Sequence, residues 1–297
     1  MSKSTDMSNM LKQRPWLGQY PEGVPADIDE TQYESLVELL EESFKKNARS
    51  TAYSFMGKDT TFAQTDSLSV AFGAYLQGLG LEKGDRVALM MPNMPQYPIA
   101  VAAILRAGLV VVNVNPLYTA RELEHQLKDS GAKAIVIIEN FATTLEQCIA
   151  ATPVKHVIIS AMGDRLGLLK GALVNYVVRH VKKMVPTYNL PGAVRFNEAI
   201  AQGTGKTLKK PVIKSTDVAV LQYTGGTTGV SKGAVLLHSN VIANVLQSEA
   251  WNEPVMATIP SSEQVVSVCA LPLYHIFAFT VGMMLNMRTG GKLLLIP

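Results

Sequence analysis

Tyr223-Thr-Gly-Gly-Thr-Thr-Gly-Val-Ser-Lys-Gly233 is the stretch that organises the chain. It gathers Gly225, Gly226, Gly229 and Gly233 with the hydroxyls of Thr224, Thr227, Thr228 and Ser231 and one cation, Lys232. Glycine backbone can approach an anion with no Cβ in the way, and successive N–H groups in such turns form a concave anion site. Hydroxyls add neutral donors, and lysine adds a mobile point charge suited to phosphate. A flexible surface loop is the competing reading of so many small polar residues. The lysine and the apolar runs on both sides favour phosphate binding. The spacing is not the Walker pattern, because Gly233 rather than Ser or Thr follows Lys232. Val218, Val220 and Leu221 before the loop, and Val235, Leu236 and Leu237 after it, read as strands. The loop therefore joins two strands and would cradle phosphates with backbone N–H groups and hydroxyls, without a helix dipole behind them.

Outward from the loop, the upstream chain has a regular rhythm. Apolar runs predict strands over 86–90, 109–114, 133–138 and 155–160, with helices over 95–106, 119–128 and 141–150 between them. Thr119 and Glu122 form a capping-box signature for the second of these helices. Strands separated by single helices make right-handed βαβ units and a parallel sheet covered on both faces, an α/β fold. Before them lie a helix over 35–46, a small hairpin over 51–62 and a helix over 66–79. After the glycine loop come a strand over 234–237, a helix over 239–250, a strand over 264–271 and a strand over 292–296, so a mixed sheet follows the parallel one. Residues 1–30, punctuated by Pro15, Pro21 and Pro25, read as a mobile arm that Trp16 and Tyr20 could pin to the body. Residues 31–297 read as one large domain that stops before it is closed.

Residues 161–200 break the rhythm. A helix over 163–187 would carry Leu168, Leu169, Leu173, Val177 and Val181 beside Arg165, Lys170, Arg179, Lys182 and Lys183. A basic amphipathic helix can lie on an anionic membrane surface; packing on the sheet is the plainer reading. Residues 266–287 approach the length of a membrane span, but Pro272, His275, Gly282 and Asn286 interrupt them, and a buried strand followed by a helix accounts for them better. The formal charge of +3 gives no reason to expect a nucleic-acid partner. Cys148 and Cys269 lack metal-ligand spacing and suit a reducing cytoplasmic setting. The first twelve residues carry no apolar signal segment.

The glycine loop closely resembles the phosphate-binding signature of the adenylate-forming superfamily, which includes acyl-CoA synthetases, luciferases and peptide-synthetase adenylation domains. Further stretches agree in order: Lys83-Gly-Asp-Arg-Val87, Met91-Pro-Asn93 leading to Leu105-Arg-Ala-Gly108, Asn113-Val-Asn-Pro116, His238 with Asn240, and Leu271-Pro-Leu-Tyr-His275. The resemblance is nearer still to the bacterial long-chain acyl-CoA ligase branch, with Gly225 where many relatives have Ser. It implies the large N-terminal domain of the adenylate-forming fold and a two-step reaction. ATP and a long-chain fatty acid give acyl-adenylate and pyrophosphate with Mg²⁺, and CoA then displaces AMP. The resemblance implies that Thr224, Gly225, Gly226, Thr227, Thr228 and Gly229 bind the ATP phosphates, with Lys232 as a secondary contact. It implies that His275 orients the carboxylate or gates the acyl pocket; a satisfied core histidine is the alternative. His125, His156 and His180 are read as structural or exposed, and Asn113, Asn115, His238 and Asn240 as caps and turns. The metal-binding residues stay unknown. In the family, the adenine and ribose contacts and a small C-terminal domain with a catalytic lysine come later than residue 297. This chain is thus expected to be an incomplete AMP-binding domain, inefficient by itself. The resemblance leaves room for a homodimer and for peripheral association with the cytoplasmic membrane face. A ligase for another carboxylic acid, and a non-enzymatic form that binds nucleotide or lipid, are the alternatives.

Overall fold

A computed structural model describes residues 14–224, 231–260 and 262–297. The first helix, α1 (Leu36–Lys46), is capped by Ser35, whose hydroxyl accepts from Glu38 N. A hairpin follows, β1 (Thr51–Phe55) and β2 (Lys58–Thr61). Helix α2 (Phe62–Gly78) begins at Phe62 rather than at residue 66, because Thr61 and Gln64 cap each other reciprocally. The predicted alternation then appears: β3 (Arg86–Met90), α3 (Gln96–Arg106), β4 (Val110–Asn113), α4 (Ala120–Ser130) and β5 (Ala134–Ile138). The capping box of Thr119 and Glu122 opens α4, and Gly131 ends it at φ 62°.

The continuous helix expected over 141–150 is broken. Only α5 (Ala142–Glu146) is α-helical, flanked by 3₁₀ turns Glu139–Phe141 and Ile149–Ala151. Ala142, Leu145 and Cys148 remain the buried face of this broken segment. Strand β6 (His156–Ser160) comes next. The helix expected over 163–187 is shorter. It comprises α6 (Leu168–Tyr176) and a π-helical continuation Val177–Val181, bounded by Gly167 at φ 88° and Lys183 at φ 51°. A short strand β7 (Val194–Arg195) and helix α7 (Phe196–Gly203) lie beyond it, neither of them expected from periodicity.

Strands β8 (Val218–Thr224) and β9 (Lys232–Leu237) flank the glycine loop, and α8 (His238–Met256) follows. The apolar stretch 266–287 is β10 (Val266–Cys269), a connecting segment and a π-helical turn Ala278–Met284 that runs into α9 (Leu285–Thr289). No helix among the described residues is long and apolar enough to cross a membrane. Strand β11 (Lys292–Leu295) ends the sequence of elements.

Among the described residues the larger sheet has the order β7-β6-β5-β3-β4-β8-β9. It is parallel except for the antiparallel pair β8–β9. The smaller sheet, β10-β11-β1-β2, is mixed: β11 lies parallel to both β10 and β1, and β1 antiparallel to β2. The pairing of the N-terminal hairpin with the last strand was not legible in the sequence. Alternate residues of β3 and β5 serve two cores. Val87, Leu89, Val136 and Ile138 join one, and Ala88, Met90, Ile135 and Ile137 join the other. A sheet buried on both faces needs this continuous apolar character. The segment 14–30 rests on α8 through an edge-on contact of Tyr20 with Trp251, ring centroids 5.2 Å apart, while Trp16 stays partly exposed.

His238 joins α8 to α1. Its Nδ1 accepts from Leu36 N at 3.1 Å, which satisfies one of the otherwise unpaired N–H groups at the start of α1. Burial, with help from Lys83 and against Asp217, lowers its pKa from the ordinary 6.5 to about 4. Between these values the unfolded imidazole binds a proton and the folded one does not. Stability is therefore full above 6.5 and falls as the pH drops toward 4. Wild-type protein should lose on the order of 2 kcal/mol through this group between about pH 7 and pH 5. In His238→Gln, whose amide oxygen can accept the same N–H, that part of the loss should vanish; urea denaturation at the two pH values measures it, and an unchanged slope would refute the assignment.

Candidate active site at the carboxyl ends of the parallel strands

The strand order places β4 on one side of β3 and β5 on the other. Such a reversal opens a crevice beyond the carboxyl ends of the strands, where open α/β sheets bind their ligands. The stem of the glycine loop, the turn after β3 and the segment 271–275 are tied together there.

The stem of the loop is well defined. Thr224 pairs with Lys232, Tyr223 with Gly233 and Gln222 with Ala234 across the antiparallel β8–β9 ladder. Thr224 and Lys232 are both exposed at its open end. The expectation that the loop joins two strands therefore holds at its flanks. Gly225, Gly226, Thr227, Thr228 and Gly229 lie outside the described residues. Helix α4 holds the stem from below. The Tyr223 hydroxyl donates to Asp129 Oδ2 at 2.5 Å, and burial together with this bond pushes its pKa up. A Cβ on Gly233 would sit 2.9 Å from the Tyr223 ring, so glycine is needed for the strand to lie on the ring. A ring nitrogen of His125 lies 3.1 Å from the carbonyl of Ser231.

A buried polar chain connects this stem to His275. β4 and β8 run parallel with Asn113 opposite Gln222. Asn113 Nδ2 donates to Gln222 Oε1 at 2.9 Å, and Gln222 Nε2 donates to the carbonyl of Tyr274 at 3.0 Å. The hydroxyl of Tyr97, fully buried on α3, lies 2.5 Å from Asn113 Oδ1 and 3.0 Å from the carbonyl of Leu273. Asn93, in the turn after β3, donates to the carbonyls of Cys269 and Leu271, each at 3.0 Å, and accepts from Leu273 N at 2.7 Å. The segment that presents His275 is thus held at Cys269, Leu271, Leu273 and Tyr274.

His275 itself is exposed, which removes the reading of a satisfied core histidine. Its Nδ1 accepts from Phe277 N at 3.3 Å, which orients the ring. Next to it along the chain, an open groove of about 350 Å³ is lined by Leu236, Val241, Ile276, Phe277, Thr280 and Val281 together with Asn240 and Asn244. Asn240 and His238 behave as expected of caps: Asn240 Oδ1 accepts from Leu237 N at 2.9 Å, and His238 serves α1. Asn115 makes a turn through Leu117 N. Among the described residues no group of three His, Cys, Asp or Glu side chains is gathered as a metal site.

The family model described as AMP-binding enzyme matches residues 40–297. The chain belongs to the AMP-binding enzyme family. It is 54% identical over 282 residues to a long-chain-fatty-acid–CoA ligase of Salmonella typhimurium, covering 95% of this chain and 50% of that protein. It is 35% identical over 292 residues to the long-chain-fatty-acid–CoA ligase of Bacillus subtilis, covering 97% and 50%. The chain spans about half the length of the curated relatives it matches. The fold is shared with a solved anthranilate CoA ligase in complex with anthranoyl-AMP, at TM-score 0.73 and 20% identity over 91% of this chain and 47% of that one. It is also shared with a long-chain-fatty-acid–CoA ligase from Archaeoglobus fulgidus, at TM-score 0.71 and 24% identity over 93% and 49%.

The chain from Tyr97 through Asn113 and Gln222 to Tyr274 has unequal links. Tyr97→Phe removes one hydroxyl and leaves acceptors, and should cost about 1 kcal/mol. Asn113→Ala leaves Gln222 Oε1 without its donor, removes the nearer acceptor of the Tyr97 hydroxyl and opens a cavity in the core, and should cost roughly 2–4 kcal/mol. Urea denaturation of the two variants measures both, and equal costs would mean that Asn113 is not the shared link.

Proposed function

We propose that the full-length protein to which this chain corresponds activates long-chain fatty acids in two steps. In the first, a carboxylate oxygen of the acid attacks the α-phosphorus of ATP, an acyl-phosphate bond forms and pyrophosphate leaves. In the second, the thiol of CoA adds to the acyl carbonyl, loses its proton, and AMP departs to leave the thioester. The observation that carries this reading is the joining of two parts by one buried chain. An open hairpin end ending in Thr224 and Lys232 is tied through Gln222 to the segment bearing His275. The names of the ligases aligned with nearly the whole chain support the fatty-acid class.

In this reading Thr224, Gly225, Gly226, Thr227, Thr228 and Gly229 hold the β- and γ-phosphates, and Lys232 adds charge from the strand. Donors aimed at a leaving pyrophosphate stabilise charge that grows in the transition state, the most effective place for them. His275 orients the carboxylate at the mouth of the groove, and the groove beside Phe277 takes the first part of the acyl chain. Mg²⁺ would accompany ATP. Among the described residues no group of three His, Cys, Asp or Glu side chains is gathered to hold it.

In the full-length protein, Thr227→Ala combined with Lys232→Ala should slow ATP–pyrophosphate exchange with a long-chain acid by about a hundredfold or more, in line with losing preorganised donors at a phosphoryl site. Exchange at the wild-type rate would overturn the phosphate role. A panel of acids compared by acyl-CoA formation tests the substrate class, and activity confined to aryl acids would overturn the long-chain reading.

A further inference from the structure

Helix α6 and its continuation to Val181 turn an apolar face to solvent. Leu168 and Leu169 are 93% and 90% exposed, and Leu173, Tyr176, Val181 and Met184 are more than half exposed. Isolated exposed leucines are ordinary, but a contiguous cluster of this kind marks a contact surface. Leu169, Leu173, Tyr176 and His180 follow helical spacing along one stripe, and the rings of Tyr176 and His180 lie 5.1 Å apart on it.

The orientation of this face is fixed from the opposite side. Gly171 is buried against Gly163, and a Cβ on either would run into the carbonyl of the other. Asn175 Oδ1 accepts from Gly163 N at 2.7 Å. Arg179 makes a two-pronged bond to Glu139, both contacts at 2.8 Å, and Arg195 adds a third. The helix therefore cannot roll its leucines inward without breaking a backbone-to-backbone contact and a buried ion pair.

Charge identifies the occupant. No Asp or Glu lies between Asp164 and Glu198, while Arg165, Lys170, Arg179, Lys182, Lys183 and Arg195 fall in that interval. The two buried or half-buried carboxylates beneath the helix, Glu139 and Asp164, face inward. Glu139 is neutralised by Arg179 and Arg195. Lys170 donates to the carbonyl of Met56, which brings the exposed Met56 of the β1–β2 turn beside the helix. Lys182 and Lys183 are exposed and form no ion pair among the described residues. Exposed leucines, an interfacial tyrosine and a one-signed cationic border match a bilayer with anionic headgroups: the apolar side chains enter the acyl boundary and the lysines stay at phosphate level.

We infer that residues 168–184 are the surface by which this protein docks on an anionic lipid bilayer, with Leu168, Leu169 and Leu173 inserting and Lys182 and Lys183 at the headgroups. This surface is separate from the glycine loop and stands whether or not the ligase reading holds. Full-length protein should sediment with phosphatidylcholine vesicles containing phosphatidylglycerol at low salt, and far less with phosphatidylcholine alone. Leu168→Ser, Leu169→Ser and Leu173→Ser together should weaken binding by about tenfold or more. Lys182→Glu with Lys183→Glu should weaken it by a similar factor and flatten its salt dependence. ATP–pyrophosphate exchange measured without vesicles should be unchanged in both variants, which separates this proposal from the assignment of the site. No binding of wild-type protein to the anionic vesicles at low salt, or undiminished binding of both variants, would overturn it. So would a concentration-dependent dimer in vesicle-free buffer that the leucine variant abolishes, because the face would then belong to a second copy.

Discussion

Two amide side chains, Asn113 and Gln222, meet across adjacent parallel strands inside an otherwise apolar sheet. Placing amides there costs several kcal/mol unless each polar atom is paired. Gln222 is paired on both sides, to Asn113 and to the carbonyl of Tyr274, and Asn113 Oδ1 faces the hydroxyl of Tyr97. The penalty for separating them makes the connection rigid. A shift of one strand relative to the other, or of the 271–275 segment relative to both, would leave donors and acceptors unpaired in a low-dielectric interior. The position of His275 relative to the glycine-loop stem is therefore set by the sheet register rather than by the conformation of a surface loop.

Antiparallel pairing of β8 and β9 has a chemical consequence. In a strand–loop–helix arrangement the helix N-terminus adds partial positive charge to a phosphate site. Here the chain leaves the loop into a strand, and α8 begins only at His238, beyond the far end of β9. In the proposed phosphate role, positive charge would come from the loop's own N–H groups, its hydroxyls and Lys232. The stem is fastened to α4 through Tyr223, Asp129 and His125, and donors that act by placement would need such a fixed base.

Much of this was legible in the sequence, for identifiable reasons. The βαβ rhythm, the Thr119 cap and the strands on both sides of the glycine loop rest on local signals, namely period, capping chemistry and apolar runs. The short α6, the 3₁₀ pieces around α5 and the earlier start of α2 depend on single backbone angles and one reciprocal cap, which a period of 3.6 does not resolve. The roles of Asn93, Tyr97 and Gln222 were missed because each acts on a residue distant in the chain, Asn93 reaching as far as Cys269, Leu271 and Leu273. One signal was available. Gln222 and Asn113 interrupt strands that are otherwise apolar, and a polar residue in a doubly buried strand must have a partner. His125, read as structural or exposed, has a structural contact with the loop stem at the Ser231 carbonyl, a placement that depends on how α4 lies against a residue 106 positions away.

The smaller sheet adds a constraint of its own. β1 pairs with β11 through Tyr53 and Leu293, joining residues from opposite ends of the sequence, and β10 pairs with β11 on the other side. The His275 segment leaves this sheet at the end of β10, while the glycine loop belongs to the larger sheet. Nothing in either ladder fixes one against the other. Asn93 does so, because it extends from the end of β3 in the larger sheet and takes the carbonyl of Cys269, the last residue of β10. Its three bonds use both amide hydrogens and the oxygen, so aspartate in its place would lose both donors and put a charge where Leu271 and Cys269 offer only carbonyl oxygens. The crevice is therefore a junction between two sheets with separate registers, and Asn93 ties the end of β10 to the larger sheet while Gln222 and Tyr97 hold the segment that follows it.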